Sequence, residues 1–168
     1  GDVANPVDMQ LYNNGNMMAQ RVGSPYSFGD LKLNVNYMVS PNRNDEHSNG
    51  VSTQDIVKIQ KHILGQSPLN SPYKLIAADV NNSGSVTAAD MSELRKLILG
   101  LTNEFSKVKS WTFVPSGYDF PDKNNPWNAP RTSSLMLDNN KVVDFVAVKM
   151  GDVTNDATAS NASRTQSR

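Results

Sequence analysis

Asp79-Val80-Asn81-Asn82-Ser83-Gly84-Ser85-Val86-Thr87-Ala88-Ala89-Asp90 is the stretch on which the reading of this chain turns. Counted from Asp79, oxygen-bearing side chains fall at positions one, three, five and nine, glycine falls at six and a carboxylate at twelve. That is the spacing of a calcium loop. Calcium is a hard cation that takes about six to eight oxygen ligands. Asp79, Asn81 and Ser83 would therefore line one side of a tight turn, and Gly84 would allow the bend that brings the carbonyl of Ser85 inward. Thr87 supplies the ninth position, and Asp90 closes the sphere from the first turn of a helix. Val86 faces the core. An Asn/Ser-rich surface turn with Asp90 as a helix cap is the metal-free alternative, and agreement at five positions weighs against it.

Outward from this loop, Met91, Leu94, Leu97, Ile98 and Leu99 repeat at helical spacing and end at Gly100. Ile56, Ile59, Ile63 and Leu64 do the same behind Asp55 and end at Gly65. Each glycine stands where a left-handed helix C-cap favours one. Asp55 to Asp90 and Gly65 to Gly100 are both 35 residues, so loop and helix repeat as one unit. Alignment on Asp55 makes Asn44, Glu46, Ser48, the Gly50 carbonyl, Ser52 and Asp55 the ligands of a first, looser calcium site, with Asp45 available in another register. Gly151-Asp152-Val153-Thr154-Asn155 resembles the start of a third loop. No glycine or closing carboxylate follows in register, so it is read as the end of the last strand.

The flanks change period. Leu31, Leu33, Val35, Tyr37 and Val39 alternate with Lys32, Asn34, Asn36 and Met38, as in a half-buried strand. Val7 to Tyr12 and Met17 to Val22 form a hairpin around Asn13-Asn14-Gly15-Asn16. Strands are expected again at Val108 to Val114, Ser134 to Leu137 and Val142 to Val148, with an irregular loop from Pro115 to Pro130. The expected organisation is thus 1–41 strands, 42–105 a calcium-binding module with repeats 44–65 and 79–100, 106–156 strands and a Trp/Pro-rich loop, and 157–168 a tail. Ile76-Ala77-Ala78 reads as too short for a helix leading into the second loop.

A closing Asp in place of Glu, without a helix before the loop, resembles the type I dockerins over Asn44 to Leu101. The resemblance implies two loop-helix units with pseudo-twofold symmetry, one calcium each, docking onto a cohesin domain. A wider resemblance is carried by Tyr26-Ser27-Phe28, Asn36 to Pro41, Ser110 to Val114, Asn125-Pro126-Trp127 and Phe145 to Val153. These segments are similar to surface proteins of Bacteroidetes-type bacteria, where a carboxypeptidase-regulatory or transthyretin-like β-sandwich precedes a dockerin pair. The implied fold class is α+β: Ig/transthyretin-like sandwich strands from both ends of the chain, with the dockerin-like pair inserted. The sandwich family opens with a strand before Val3 to Val7 that this chain lacks, which leaves an edge for a C-terminal strand or for a neighbouring copy.

Lys plus Arg equals Asp plus Glu at 16 each, so summed charge draws the chain to neither nucleic acid nor anionic membrane. There is no cysteine, which removes disulfides and thiolate chemistry. No apolar run is long enough for membrane insertion, and the start at Gly1 reads as a processed product or a piece of a longer chain. His47 and His62 lack partners at metal spacing. Trp111, Phe113, Tyr118, Phe120 and Trp127 read as packing residues, with glycan contact as the alternative. Asn161-Ala162-Ser163 is a glycosylation sequon. No catalytic motif appears. The sequence therefore leads to a non-enzymatic, extracellular or cell-surface bacterial protein that binds two calcium ions. It would assemble with copies of itself by strand exchange, in a fibre, adhesin or layer, or else anchor to a cohesin-like partner.

Overall fold

A computed structural model describes residues 7–23 and 26–158. The sequon, residues 1–6 and the tail beyond Thr158 lie outside that range. The chain runs β1 (Asp8–Asn13), β2 (Asn16–Val22), β3 (Val35–Asn42), α1 (Thr53–Ile63), α2 (Pro72–Ala78), α3 (Ala88–Ile98), β4 (Trp111–Pro115), β5 (Ser133–Leu137) and β6 (Phe145–Lys149). The class is mixed α+β with antiparallel sheets.

One sheet has the order β2-β1-β3-β5, and the other pairs β4 with β6. The β1–β2 hairpin closes through Asn14 and Gly15, both at positive φ, as a two-residue turn between right-twisted strands requires. β1 sets Leu11 against Val39 of β3, and β3 sets Tyr37 against Leu135 of β5. Strands from before and after the helices therefore share a sheet. Leu11, Tyr37 and Val39 from this sheet meet Trp111, Phe113 and Phe145 from β4 and β6 in one apolar cluster. Among the described residues β2 pairs on one side only, and it is exposed along most of its length. The strand expected from Leu31 begins only at Val35, because Asp30 and Asn34 both adopt positive φ and break the extended run.

The helices build a second cluster. Ile56 and Ile59 of α1, Leu75 to Ala78 of α2, and Met91, Leu94 and Leu97 of α3 pack with Phe105, Val114, Phe120, Val148 and Val153. α1 and α3 start alike, with capping boxes of Ser52 with Asp55 and Thr87 with Asp90. They also end alike, with Gly65 and Gly100 at φ +69° and +70°. α2 corrects the expectation that no helix precedes the second loop. Pro72 starts it at the one place where a missing N–H costs nothing. Its last four residues are all buried, so it has no polar stripe for periodicity to reveal. The irregular stretch after β4 contributes Phe120 and Ala129 to the core, and Tyr118 and Tyr73 meet Phe120 edge to face. All five aromatic residues weighed as a sugar platform, Trp111, Phe113, Tyr118, Phe120 and Trp127, thus belong to or pack against the two apolar clusters.

Candidate metal centre

The loop between α2 and α3 is folded around its own acids. Asp79, at the end of α2, accepts the N–H of Ser83 on Oδ1 at 2.8 Å and that of Gly84 on Oδ2 at 2.9 Å. Asn81 Oδ1 accepts the same Ser83 N–H at 3.1 Å. Asn82 and Gly84 take φ of +55° and +75°, which coils the chain tightly enough to gather these groups. Ser83 Oγ donates to the Ser85 carbonyl at 3.1 Å, which places positions five and seven together. Asp90 divides its carboxylate. Oδ2 accepts the Thr87 N–H at 2.9 Å as a helix cap, and Oδ1 reaches across the loop to the Asn81 N–H at 3.2 Å. Asp79, Asn81, Ser83, Ser85, Thr87 and Asp90 are therefore brought to one turn of chain.

The electrostatics of this turn suit a cation. Asp79 is 5% exposed and Asp90 0%, and no ion pair neutralises either among the described residues. Burial pushes the Asp90 carboxyl up; the N–H groups of Thr87 and Asn81 pull it down, and the charge of Asp79 pushes it up again. Two desolvated carboxylates that repel one another are stabilised by a bound cation. The donor set is oxygen only, with carboxylates, an amide, hydroxyls and a carbonyl, and so matches calcium rather than zinc or copper.

The first loop is arranged differently from the expectation. Asn44 turns its Oδ1 to the N–H of Ser110 at 2.9 Å. Glu46 is held by Arg43, with Nη2 to Oε2 at 3.2 Å. Arg43 is itself buried, bonds Asp45 at 2.6 Å and lies over the Trp111 ring at 5.1 Å. Asn44 and Glu46 are thus committed elsewhere, and so is Asp45, the alternative ligand. Ser48 offers its carbonyl to the N–H of Val51 at 3.0 Å. Ser52 and Asp55 remain in the geometry of their counterparts in the second loop: Ser52 caps α1, and Asp55 Oδ2 accepts the Ser52 N–H at 2.8 Å. Gly50, at φ +74°, differs from its counterpart Ser85, which is not at positive φ. Asp55 Oδ1 accepts the N–H groups of Val153 and Thr154 at 2.9 and 3.1 Å. The first half of that loop is therefore not made by residues 44–48.

His62 lies half-buried at the edge of the core, whereas His47, which the sequence places in a solvated loop, is buried. His62 Nδ1 accepts the Leu69 N–H at 3.1 Å, and His47 Nδ1 accepts that of Phe105 at 3.4 Å. Lys149, buried beside them, donates to the carbonyls of His47 and Met150 at 2.7 and 3.2 Å. Burial pushes Lys149 down to about 8, against the upward pull of Asp152, Asp45 and Asp55.

With this geometry in place, comparison with protein families bears on the helical part. Residues 30–99 match the dockerin type I domain. This stretch is similar to dockerin type I domains, and calcium is the metal that such domains bind. The matched residues include the whole loop from Asp79 to Asp90 and both of the similarly capped helices. Comparison with curated proteins and with solved structures gave no match. No helix among the described residues is long and apolar enough to cross a membrane.

Proposed function

We propose that this chain is a calcium-dependent docking protein of the bacterial cell surface, in which the loop from Asp79 to Asp90 holds one ion and the paired helices α1 and α3 receive a cohesin-like partner. The observation that carries this reading is the clasp of Asp79 and Asp90 on one coiled turn, both buried and both without a counter-ion among the described residues. Dockerin domains bind cohesin partners and occur in secreted or cell-surface proteins, which supports the partner and the location. The helix pair has surface to offer. Leu64, Leu99 and Leu101 are exposed at the ends of α1 and α3, and Lys58, Lys61, Arg95 and Lys96 lie exposed on the same two helices.

Calcium bound only to the folded chain raises stability with the logarithm of its free concentration above the dissociation constant. At about a hundred times that constant the gain is ~2.7 kcal/mol per site. Asp79→Ala and Asp90→Ala are expected to remove the contribution of this loop. Thermal unfolding followed across a calcium titration checks it, and an unchanged calcium response in both variants would sink the reading.

A second reading, assembly of copies into a fibre, adhesin or layer, is favoured by β2, whose outer edge is unpaired among the described residues and whose Met17, Met18 and Val22 are exposed. Here an Ig/transthyretin-like sandwich completed by strand exchange would do the joining, and the dockerin-like insert would stiffen the subunit. Size analysis separates the two. Calcium-stabilised polymers that Met18→Lys dissolves favour assembly, and a monomer that captures a cohesin domain favours docking.

A further inference from the structure

The segment after β6 repeats the first half of the 79–90 loop. Asp152 Oδ1 accepts the N–H of Asp156 at 3.1 Å and Oδ2 that of Ala157 at 2.8 Å, just as Asp79 serves Ser83 and Gly84. Val153 is fully buried, as Val80 is. Asn155 takes φ +64°, where Asn82 takes +55°. Asp55 then stands in the place of Asp90, with one oxygen capping its own helix and the other crossing to Val153 and Thr154. The two pieces of chain meet at Gly50, where an added Cβ would lie 2.5 Å from the backbone nitrogen of Ala157. Asn49 fastens the join, donating to the Thr158 carbonyl at 2.9 Å and accepting its N–H at 3.3 Å.

We propose that these two pieces form a second calcium site, with Asp152, Thr154 and Asp156 from the C-terminal segment and the Gly50 carbonyl, Ser52 and Asp55 from the start of α1. The proposal rests on the calcium reading of residues 79–90. Asp55 and Asp152 are 0% and 4% exposed, and an oxygen of each lies 3.0 Å from the same Thr154 hydroxyl, which has one proton to share between them. Buried like charges this close are stabilised by a cation between them. Lys149, the buried cation of the region, directs its hydrogen bonds to two backbone carbonyls instead. The donor set is again oxygen only, as calcium requires. An ion here would bridge residues 98 and 99 positions apart, binding the end of the last strand to the first helix and closing the helical module into a ring. Because the two pieces meet only in the fold, an ion here would stabilise the folded chain alone.

Native mass spectrometry and calorimetry of the full chain titrated with calcium test this. The wild type is expected to take two ions, and Asp79→Asn only the composite one. Asp156 is exposed and its carboxylate bonds no described residue, so Asp156→Asn leaves the fold intact. That change is expected to weaken the composite site about tenfold or more, since even outer-shell changes cost that much. Asp152→Asn should abolish the site, and Asp156→Asn decides if that variant does not fold. A wild type that takes one ion, lost in Asp79→Asn, overturns the composite site and leaves the reading of 79–90 standing. Two ions held with unchanged affinity in both C-terminal variants also overturn it. No ion at all removes both readings.

Discussion

Gly151 stands at the point where the helical module and the strands are most tightly joined. It sits at φ +87°, and its N–H donates to the Ala77 carbonyl at 2.8 Å, which fixes the turn between β6 and the end of α2. A Cβ built there would lie 2.9 Å from Leu94 Cδ2, 3.0 Å from Phe105 Cζ and 3.1 Å from Val51 Cγ2. Gly151→Ala would therefore combine backbone strain with overpacking in the module core. It is expected to cost about 2 kcal/mol or more in denaturant unfolding. Gly65→Ala is the control. It has similar φ but nothing within 4 Å of the added carbon, so it should cost only the conformational penalty of about 1 kcal/mol. Equal losses in the two variants would show that the packing around Gly151 yields freely. Single residues also mark where sequence reasoning reached its limit. Asp79, Gly84 and Asp90 declare themselves because their roles lie within twelve consecutive positions. Asp152 does not, because its complement Asp55 lies almost a hundred residues earlier. The similarity of Asp152-Val153 to Asp79-Val80 is visible, but a closing carboxylate sought downstream is never found.

Among the elements, those whose stabilisation is local are the ones that the sequence displays. α1 and α3 carry their caps, their apolar stripe and their terminal glycine within about fifteen residues each, so period and punctuation agree. α2 is missed because burial of all its last residues erases the amphipathic pattern, and β3 is set two turns of pleat too early because the αL residues Asp30 and Asn34 interrupt an otherwise alternating run. The residues expected to open the first loop are engaged elsewhere for a related reason. Arg43, itself buried, draws Asp45 and Glu46 into ion pairs that no spacing rule anticipates. The paired helices, being well ordered by their own sequence, can spend their outer faces on binding. Leu99 and Leu101 are both 71% exposed just beyond α3. Leu99→Ser with Leu101→Ser is expected to change folding stability by no more than about 0.5 kcal/mol. If these residues anchor the docking face, the same pair should weaken capture of a cohesin domain about tenfold or more. Unfolding and binding measured on one preparation check both parts, and binding left intact would move the docking face away from the ends of the helices.

At the scale of the whole molecule, the two apolar clusters are bridged by a small polar core in which His47 and Lys149 lie between the first loop, the segment leading to β4 and the end of β6. This core couples the module to the sheets, and it should couple stability to pH. His47 is buried, and its titration is pushed below the ordinary value of 6.5 by burial first and then by the charge of Lys149, against the opposite pull of Glu104 and Asp45. Glu104 is the nearest of these acids, 3.9 Å from Nε2 and itself exposed, too far and too solvated to hold an imidazolium in place. Because the folded chain resists protonation, the unfolded chain binds the proton more readily at any pH between the two values. The contribution of His47 is therefore fully present above pH 6.5 and is lost as pH falls below it. His47→Gln keeps an acceptor for the Phe105 N–H but cannot charge, so its unfolding midpoint is expected to fall less steeply than that of the wild type between pH 6.5 and pH 5. Both should be measured in chelator, so that protonation of the calcium carboxylates does not enter the difference. Parallel acid slopes for the two proteins would mean that His47 stays neutral in both states or is solvated in the fold, and the coupling of module to sheet would then have to run through Lys149 and Gly151 alone.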